Sequence, residues 1–194
     1  MATEESRRIK DLDTLKALGH PLRMKLYRAL KVTGAATASQ LADQVDEAVS
    51  LVSYHLRKLA AHGLIEEAVA RGDARERWWQ PADASISTRD EDFRDAPERA
   101  AVHTAVSRMH ARQQNEMYES FLDAQSAWPG DWRNSAFSSE FMLSLTAEEL
   151  HRLGDELNEV VRKWRAHGTA AREAGDVKNR ENVAVHMYGF PFRT

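Results

Sequence analysis

Ser39-Gln40-Leu41-Ala42-Asp43-Gln44-Val45-Asp46-Glu47-Ala48-Val49-Ser50-Leu51-Val52-Ser53-Tyr54-His55-Leu56-Arg57-Lys58-Leu59 reads as two helices meeting at a tight turn. Thr37, with Gln40 three residues on, forms a capping box that starts the first helix. In the second helix Val52, Leu56 and Leu59 recur at steps of four and three, which makes one apolar stripe. Ser50, Ser53, Tyr54 and Arg57 fall on the other side. That side reads as hydroxyls and a guanidinium without a large aliphatic, a donor and acceptor set suited to base edges in a DNA major groove. A plain helical hairpin fits the same pattern, so the flanking sequence has to decide.

Working outward, Gly63 is placed to end the second helix. Residues 64–70 read as a strand, Arg71-Gly72-Asp73-Ala74 as a turn, and residues 75–80 as a returning strand stopped by Pro81. Upstream, Leu12, Leu15 and Leu18 form a short helical stripe broken at Gly19-His20-Pro21. Pro21 opens a further helix with Leu22, Leu26, Ala29 and Leu30 on its buried face. Helix, turn, helix and then a hairpin with basic residues near its tip is a winged helix.

The run Leu15-Lys16-Ala17-Leu18-Gly19-His20-Pro21-Leu22-Arg23, the run Val52-Ser53-Tyr54-His55-Leu56-Arg57-Lys58-Leu59, then Gly63-Leu64-Ile65 and Arg71-Gly72-Asp73-Ala74-Arg75-Glu76-Arg77-Trp78-Trp79 together resemble the ArsR-type winged-helix transcriptional regulators. The resemblance covers residues 12–82, less than half of the chain. It implies a dimeric DNA-binding regulator, usually a repressor released by an effector. One departure stands out. Where the family often starts its recognition helix with a Ser or Thr cap and a Pro, this chain has Ala48 and Val49.

Composition sets bounds. The net charge of −3 does not advertise nucleic-acid binding, but its distribution is uneven. Residues 1–82 carry 13 basic and 11 acidic side chains, and residues 83–194 carry 14 and 19. A mildly basic front and an acidic rear fit DNA contact at one end. There is no cysteine, so disulfides and thiolate metal sites are excluded. No apolar run approaches the roughly 18 residues that span a bilayer, and the first residues lack the apolar core of a signal peptide. The expectation is a soluble, cytoplasmic protein with no membrane partner.

Residues 1–10 are expected to fray, and residues 83–95, acidic and rich in hydroxyls, to form a linker. From Ala96 a long helix carries Val102, Val106, Met109, Gln113, Met117 and Phe121 at steps of three and four. A stripe that long needs the rear half or a second subunit to cover it. Residues 136–145 read as a strand. Thr146 and Glu149 form a second capping box, before a helix striped by Leu150, Leu153, Leu157, Val160, Val161 and Trp164. Residues 183–188 read as a last strand. The expected fold is mostly α with small β. Residues 1–82 make a winged helix-turn-helix domain, 83–95 a linker, and 96–194 a helical or α+β dimerisation or effector region.

The DNA-binding candidates are Ser50, Ser53, Tyr54 and Arg57 on the helix and Arg71, Arg75 and Arg77 on the wing. His55 lies beside the buried stripe and reads as a packed histidine, while Trp78 and Trp79 read as anchors of the wing. Tyr118, Trp128, Trp132, Phe137, Phe141 and Trp164 could line an apolar pocket for a small-molecule effector, although aromatics at such spacings more often form ordinary core. His103 and His110, and His151 with Asp155, sit at helical spacing and suggest a metal-responsive repressor as one alternative. Helices carry such pairs by chance, and no metal site or cofactor is assigned. The other alternative is a winged-helix protein-interaction module without DNA binding. The chain has no nucleophile elbow, phosphate loop, metal triad or dinucleotide fingerprint, so an enzyme is not expected. The reading is a sequence-specific regulator, a repressor, acting as a homodimer on double-stranded DNA.

Overall fold

The computed structural model describes residues 7–68, 76–82 and 85–193. The chain divides into two compact units, residues 1–123 and 124–194. The first unit runs β1 (Arg7–Arg8), α1 (Leu12–Leu18), α2 (Pro21–Thr33), β2 (Ala36–Thr37), α3 (Ala38–Val45), α4 (Val49–Ala61), β3 (Ile65–Glu67), β4 (Trp78–Pro81), β5 (Ile86–Ser87) and α5 (Pro97–Asp123). The second contains α6 (Gly130–Ser135) and α7 (Ala147–Glu173).

The core forms where α2, α3 and α4 converge. Leu26 and Leu30 of α2, Leu41 of α3, and Val52, Leu56 and Leu59 of α4 are all fully buried. The stripe read from the sequence is therefore the buried face of α4. A buried Leu contributes roughly 2 kcal/mol by leaving water, so this face fixes how α4 is rotated. The sheet order is β2-β4-β3, antiparallel throughout, with Ala36 opposite Trp79 and Glu66 opposite Gln80. Trp79 is buried and anchors the hairpin to the core, as expected.

Local chemistry sets the helix ends. Thr37 Oγ1 accepts from the Gln40 N–H, and the Gln40 side chain accepts from the Thr37 N–H, so the capping box is closed on both sides. Between α3 and α4 the chain turns at Asp46, which is left-handed with φ 55°. Ala48 precedes α4 without a side-chain cap, so this helix start is left uncapped by any side chain. At the other end Gly63 has φ 62°, the Gly63 N–H donates to the Ala60 carbonyl, and the Leu64 N–H donates to the Leu59 carbonyl. The Arg7 guanidinium adds hydrogen bonds to the carbonyls of His62 (3.0 Å) and Gly63. A cation on the last carbonyls suits the negative end of a helix.

Several expectations are corrected. Residues 7–10 do not fray. Arg7 and Arg8 pair in parallel with Ile86 and Ser87, and Ile9 is buried. The described part of the expected linker, residues 85–95, is not a free tether. It supplies β5, a 3-10 turn over Asp90–Asp92, and the fully buried Phe93. Arg8 grips Asp92 through both oxygens, Nε to Oδ2 at 2.5 Å and Nη2 to Oδ1 at 2.8 Å. That fork holds the Asp92 carboxyl below the usual carboxylate range.

The first part of the α5 stripe is covered by the chain itself. Val106 is buried, α5 packs on α1, and the Gln113 amide donates to the Pro21 carbonyl while accepting from Arg28. Farther along α5, Met117, Tyr118 and Leu122 remain exposed. In the second unit α7 begins at the expected capping box of Thr146 and Glu149. The strands expected over 136–145 and 183–188 do not form, and the described residues of this unit are helical or irregular. Alternation of apolar residues makes a strand only where a neighbouring strand completes the backbone hydrogen bonds.

Gly63→Ala is expected to destabilise the chain by about 1–2 kcal/mol, because a Cβ is strained at positive φ. It would also stand 3.3 Å from the Arg7 guanidinium. Urea denaturation checks this as a lower midpoint at unchanged slope.

Candidate nucleic-acid interface

With its apolar face buried, α4 turns the opposite face outward. Ser50, Tyr54 and Arg57 are exposed and Ser53 is half-buried. Ser53 and Arg57 open onto a groove of about 340 Å³ between α4, the start of α3 and the base of the wing. Thr37, Ala38, Ser39, Val49, Glu76, Arg77 and Trp79 complete its lining. Hydroxyls, a guanidinium and a second guanidinium thus face one concave surface.

Arg77 is positioned rather than loose. Its Nε lies 3.0 Å from Glu67 Oε1, and its guanidinium carbon sits 5.5 Å from the Trp79 ring centre. Both residues belong to the sheet, so the cation is held at the wing's base beside the groove. Arg71 and Arg75, the other two wing candidates, lie outside the described residues. Tyr54 and Ser50 do not line the groove. Tyr54 packs edge-on against His55, with the Lys58 ammonium 5.6 Å from its ring centre. The seven candidates therefore separate into a groove set of Ser53, Arg57 and Arg77, a flanking pair of Ser50 and Tyr54, and the two undescribed arginines.

Sequence reasoning missed part of the surface. Val49 is 45% exposed and Leu51 39%, so the outer face of α4 does carry aliphatics. Val49 lies four residues before Ser53 and eight before Arg57, and the same helical spacing that selected those two marks it as well. Such a methyl group suits contact with a thymine methyl. Thr37 and Ser39 join the groove only through the fold, since nothing local in the sequence ties them to α4.

Two arginines and one histidine that could have met DNA are used inside the first unit. Arg23 donates to the carbonyls of Ala17 (2.5 Å) and Lys16 (3.0 Å) and closes the end of α1. Arg28 donates to Gln113 at 3.0 Å. His55 is 5% exposed and its ring centre lies 4.4 Å from that of His20, so it is the packed histidine expected. The Nδ1 atoms of both rings are buried without a hydrogen-bond partner. Desolvation, and then the nearby Arg23, pushes the His20 pKa down. His55 is lowered by desolvation first, then by His20 and Arg23, with Glu47 opposing.

Two further histidines, His103 and His110, are half-buried in the first unit, while His151 lies exposed on α7 with its Nε2 3.5 Å from Asp155 Oδ2. His103 stacks on Phe93 with ring centres 5.1 Å apart. His110 Nε2 is 3.2 Å from the Leu18 carbonyl oxygen, and burial lowers its pKa. Among the described residues no three His, Cys, Asp or Glu side chains converge on a point where a metal could sit. Of the aromatics expected at an effector pocket, Tyr118, Phe137, Phe141 and Trp164 are exposed and Trp128 and Trp132 are half-buried.

Residues 18–68 match a family described as a helix-turn-helix domain. That span contains α2, α3, α4 and β3, including the whole recognition-helix candidate. No curated protein matches the chain. Among solved structures, the YusO protein from Bacillus subtilis is 16% identical, covering 78% of this chain and 81% of its own, with a TM-score of 0.34. The MarR family transcription regulator SP03579 is 17% identical, with coverages of 81% and 79% and a TM-score of 0.34. NMB1585, a MarR family regulator from Neisseria meningitidis, is 19% identical, with coverages of 77% and 80% and a TM-score of 0.32. With TM-scores this low, none of these likenesses bears on function. Among the described residues no helix is long and apolar enough to cross a membrane.

The buried histidines give a pH dependence with a definite sign. His20, His55 and His110 have folded pKa values below the ordinary 6.5. Below that value the unfolded chain takes up protons that the folded chain resists. Their contribution to stability is therefore complete above the ordinary value and is lost as pH falls through the folded values. Thermal melts should show a lower Tm at about pH 5 than at about pH 8, and His20→Gln should shrink the difference.

Proposed function

We propose that this chain is an ArsR-type winged-helix regulator, a repressor that binds double-stranded DNA as a homodimer on a two-fold-symmetric operator. One observation carries the reading. The single helix α4 buries its apolar face completely, while Ser53 and Arg57 on the opposite face open onto a groove flanked by Arg77. A helix seated this way can enter the major groove with its first turns against base edges and the wing beside it on the backbone. The helix-turn-helix match over residues 18–68 supports the same assignment.

Roles follow from chemistry. Ser53 donates or accepts toward a base edge. Arg57 offers two parallel donors to a guanine or, from its later place in the helix, to a phosphate. Arg77, Arg71 and Arg75 supply backbone or minor-groove contacts from the wing. Residues 1–82 form the DNA-binding domain, and residues 96–194 serve dimerisation and effector response. The exposed end of α5, with Met117, Tyr118 and Leu122, is the part of that helix left for a second subunit. A DNA-binding role fits the cytoplasmic location expected from the sequence.

The second reading, a protein-interaction module, is favoured by the exposed Val49 and Leu51 and by the acidic Glu76 in the groove. Such a module would show little salt-dependent affinity for duplex DNA.

Duplex selection with the purified protein separates the two. The expected product is a site with two half-sites about one helical turn apart. Ser53→Ala should relax preference at one position per half-site with little change in nonspecific affinity. Arg57→Ala should weaken specific binding about 5- to 150-fold, the equivalent of one lost bidentate contact. No enriched motif, or an unchanged motif and affinity in both variants, overturns the DNA reading of α4.

A further inference from the structure

The second unit buries none of its described residues, yet its sequence is not that of a solvated tail. Along α7, Leu150, Leu153, Leu157, Val160 and Trp164 recur at steps of three and four, the spacing of a coiled-coil seam. Val160 is 53% exposed and Trp164 65%. The two irregular stretches on either side of the helix add Phe137, Phe141, Tyr188, Phe190 and Phe192, each more than half exposed. Covering these five rings and Trp164, already partly shielded, would remove on the order of 800 Å² of surface per copy. A stable interface takes about 800 Å² per partner. The area is that of a complete interface, so one partner surface suffices.

The charges identify the partner. In residues 147–160 α7 carries five acidic and one basic side chain, and in residues 161–173 four basic and one acidic. The helix is acidic at its start and basic at its end, with the seam running through both halves. A parallel copy would set like charge against like. An antiparallel copy sets each acidic half on a basic half, the self-complementarity that a two-fold interface requires. In that register the seam brings Leu157 of one copy against Val160 of the other. Glu156 and Lys163, which flank the seam, then face each other twice across the dyad.

From this juxtaposition we infer that α7 pairs antiparallel with α7 of a second copy of this chain, with residues 137–145 and 183–192 closing over the seam. The inference rests on the dimer proposed above and not on its DNA. It adds an interface in the second unit to the one assigned to the end of α5.

The test is the dimer dissociation constant of the full chain, without DNA, by analytical ultracentrifugation. Glu156→Lys and Lys163→Glu each turn two attractive pairs repulsive and should weaken dimerisation about tenfold. The double variant restores opposite charges and should return to within about threefold of the parent. Val160→Asp should weaken dimerisation more than either charge swap at unchanged helicity, since Val160 is exposed in the single chain. Single swaps without effect, or a double variant that fails to rescue, overturn the antiparallel pairing. If Met117→Glu with Leu122→Glu dissociates the dimer while every α7 variant leaves it intact, the α5 interface stands and this one falls. A parent chain that is monomeric at tens of micromolar, about where a stable interface persists, overturns both.

Discussion

The two-faced nature of α4 is the constraint on which the first unit depends. Val52, Leu56 and Leu59 admit one rotation of the helix, because any other would drag fully buried aliphatics into water. Losing even one such side chain from a packed core costs about 2–5 kcal/mol. That rotation is what holds Ser53 and Arg57 at the groove. Exposure of the polar face is therefore a consequence of core packing, and the functional surface inherits the stiffness of the core. The surrounding elements serve the same end. The capping box of Thr37 and Gln40 starts α3, Asp46 turns the chain, and Arg7 closes the last carbonyls beyond α4.

The charged side chains near this surface divide by use. Arg23 and Arg28 look, in one dimension, as available to a phosphate as Arg57. In the fold Arg23 closes α1 and Arg28 holds Gln113 of α5. Positive charge reaches the groove only from Arg57 and Arg77 among the described residues. This economy fits a weakly acidic chain, in which affinity for a polyanion must come from a few placed cations rather than from net charge.

The helices of the first unit were legible because their signals are local. Stripes at steps of three and four, a capping box and a glycine after the last turn each lie within a few residues. Half of the site was legible for the same reason, since Ser53 and Arg57 share one face of one helix. What was not legible depends on distant partners. β1 forms because residues 86–87, almost eighty positions away, lie beside it, and Phe93 is buried by elements that follow and precede it. Thr37 and Ser39 reach the groove only once α3 has folded against α4. Residues 136–145 and 183–188 carry strand-like alternation, but alternation specifies a face and not a neighbour, and no strand forms there.

The central claim is that the outer face of α4 touches DNA. Titrating isotope-labelled protein with a selected duplex, and following backbone amide shifts by NMR, tests it most directly. The account predicts that the largest shifts map to Ser50, Ser53, Tyr54 and Arg57, with smaller ones at Ser39 and Arg77. A duplex that leaves these amides in place, or that shifts α7 instead, would contradict it.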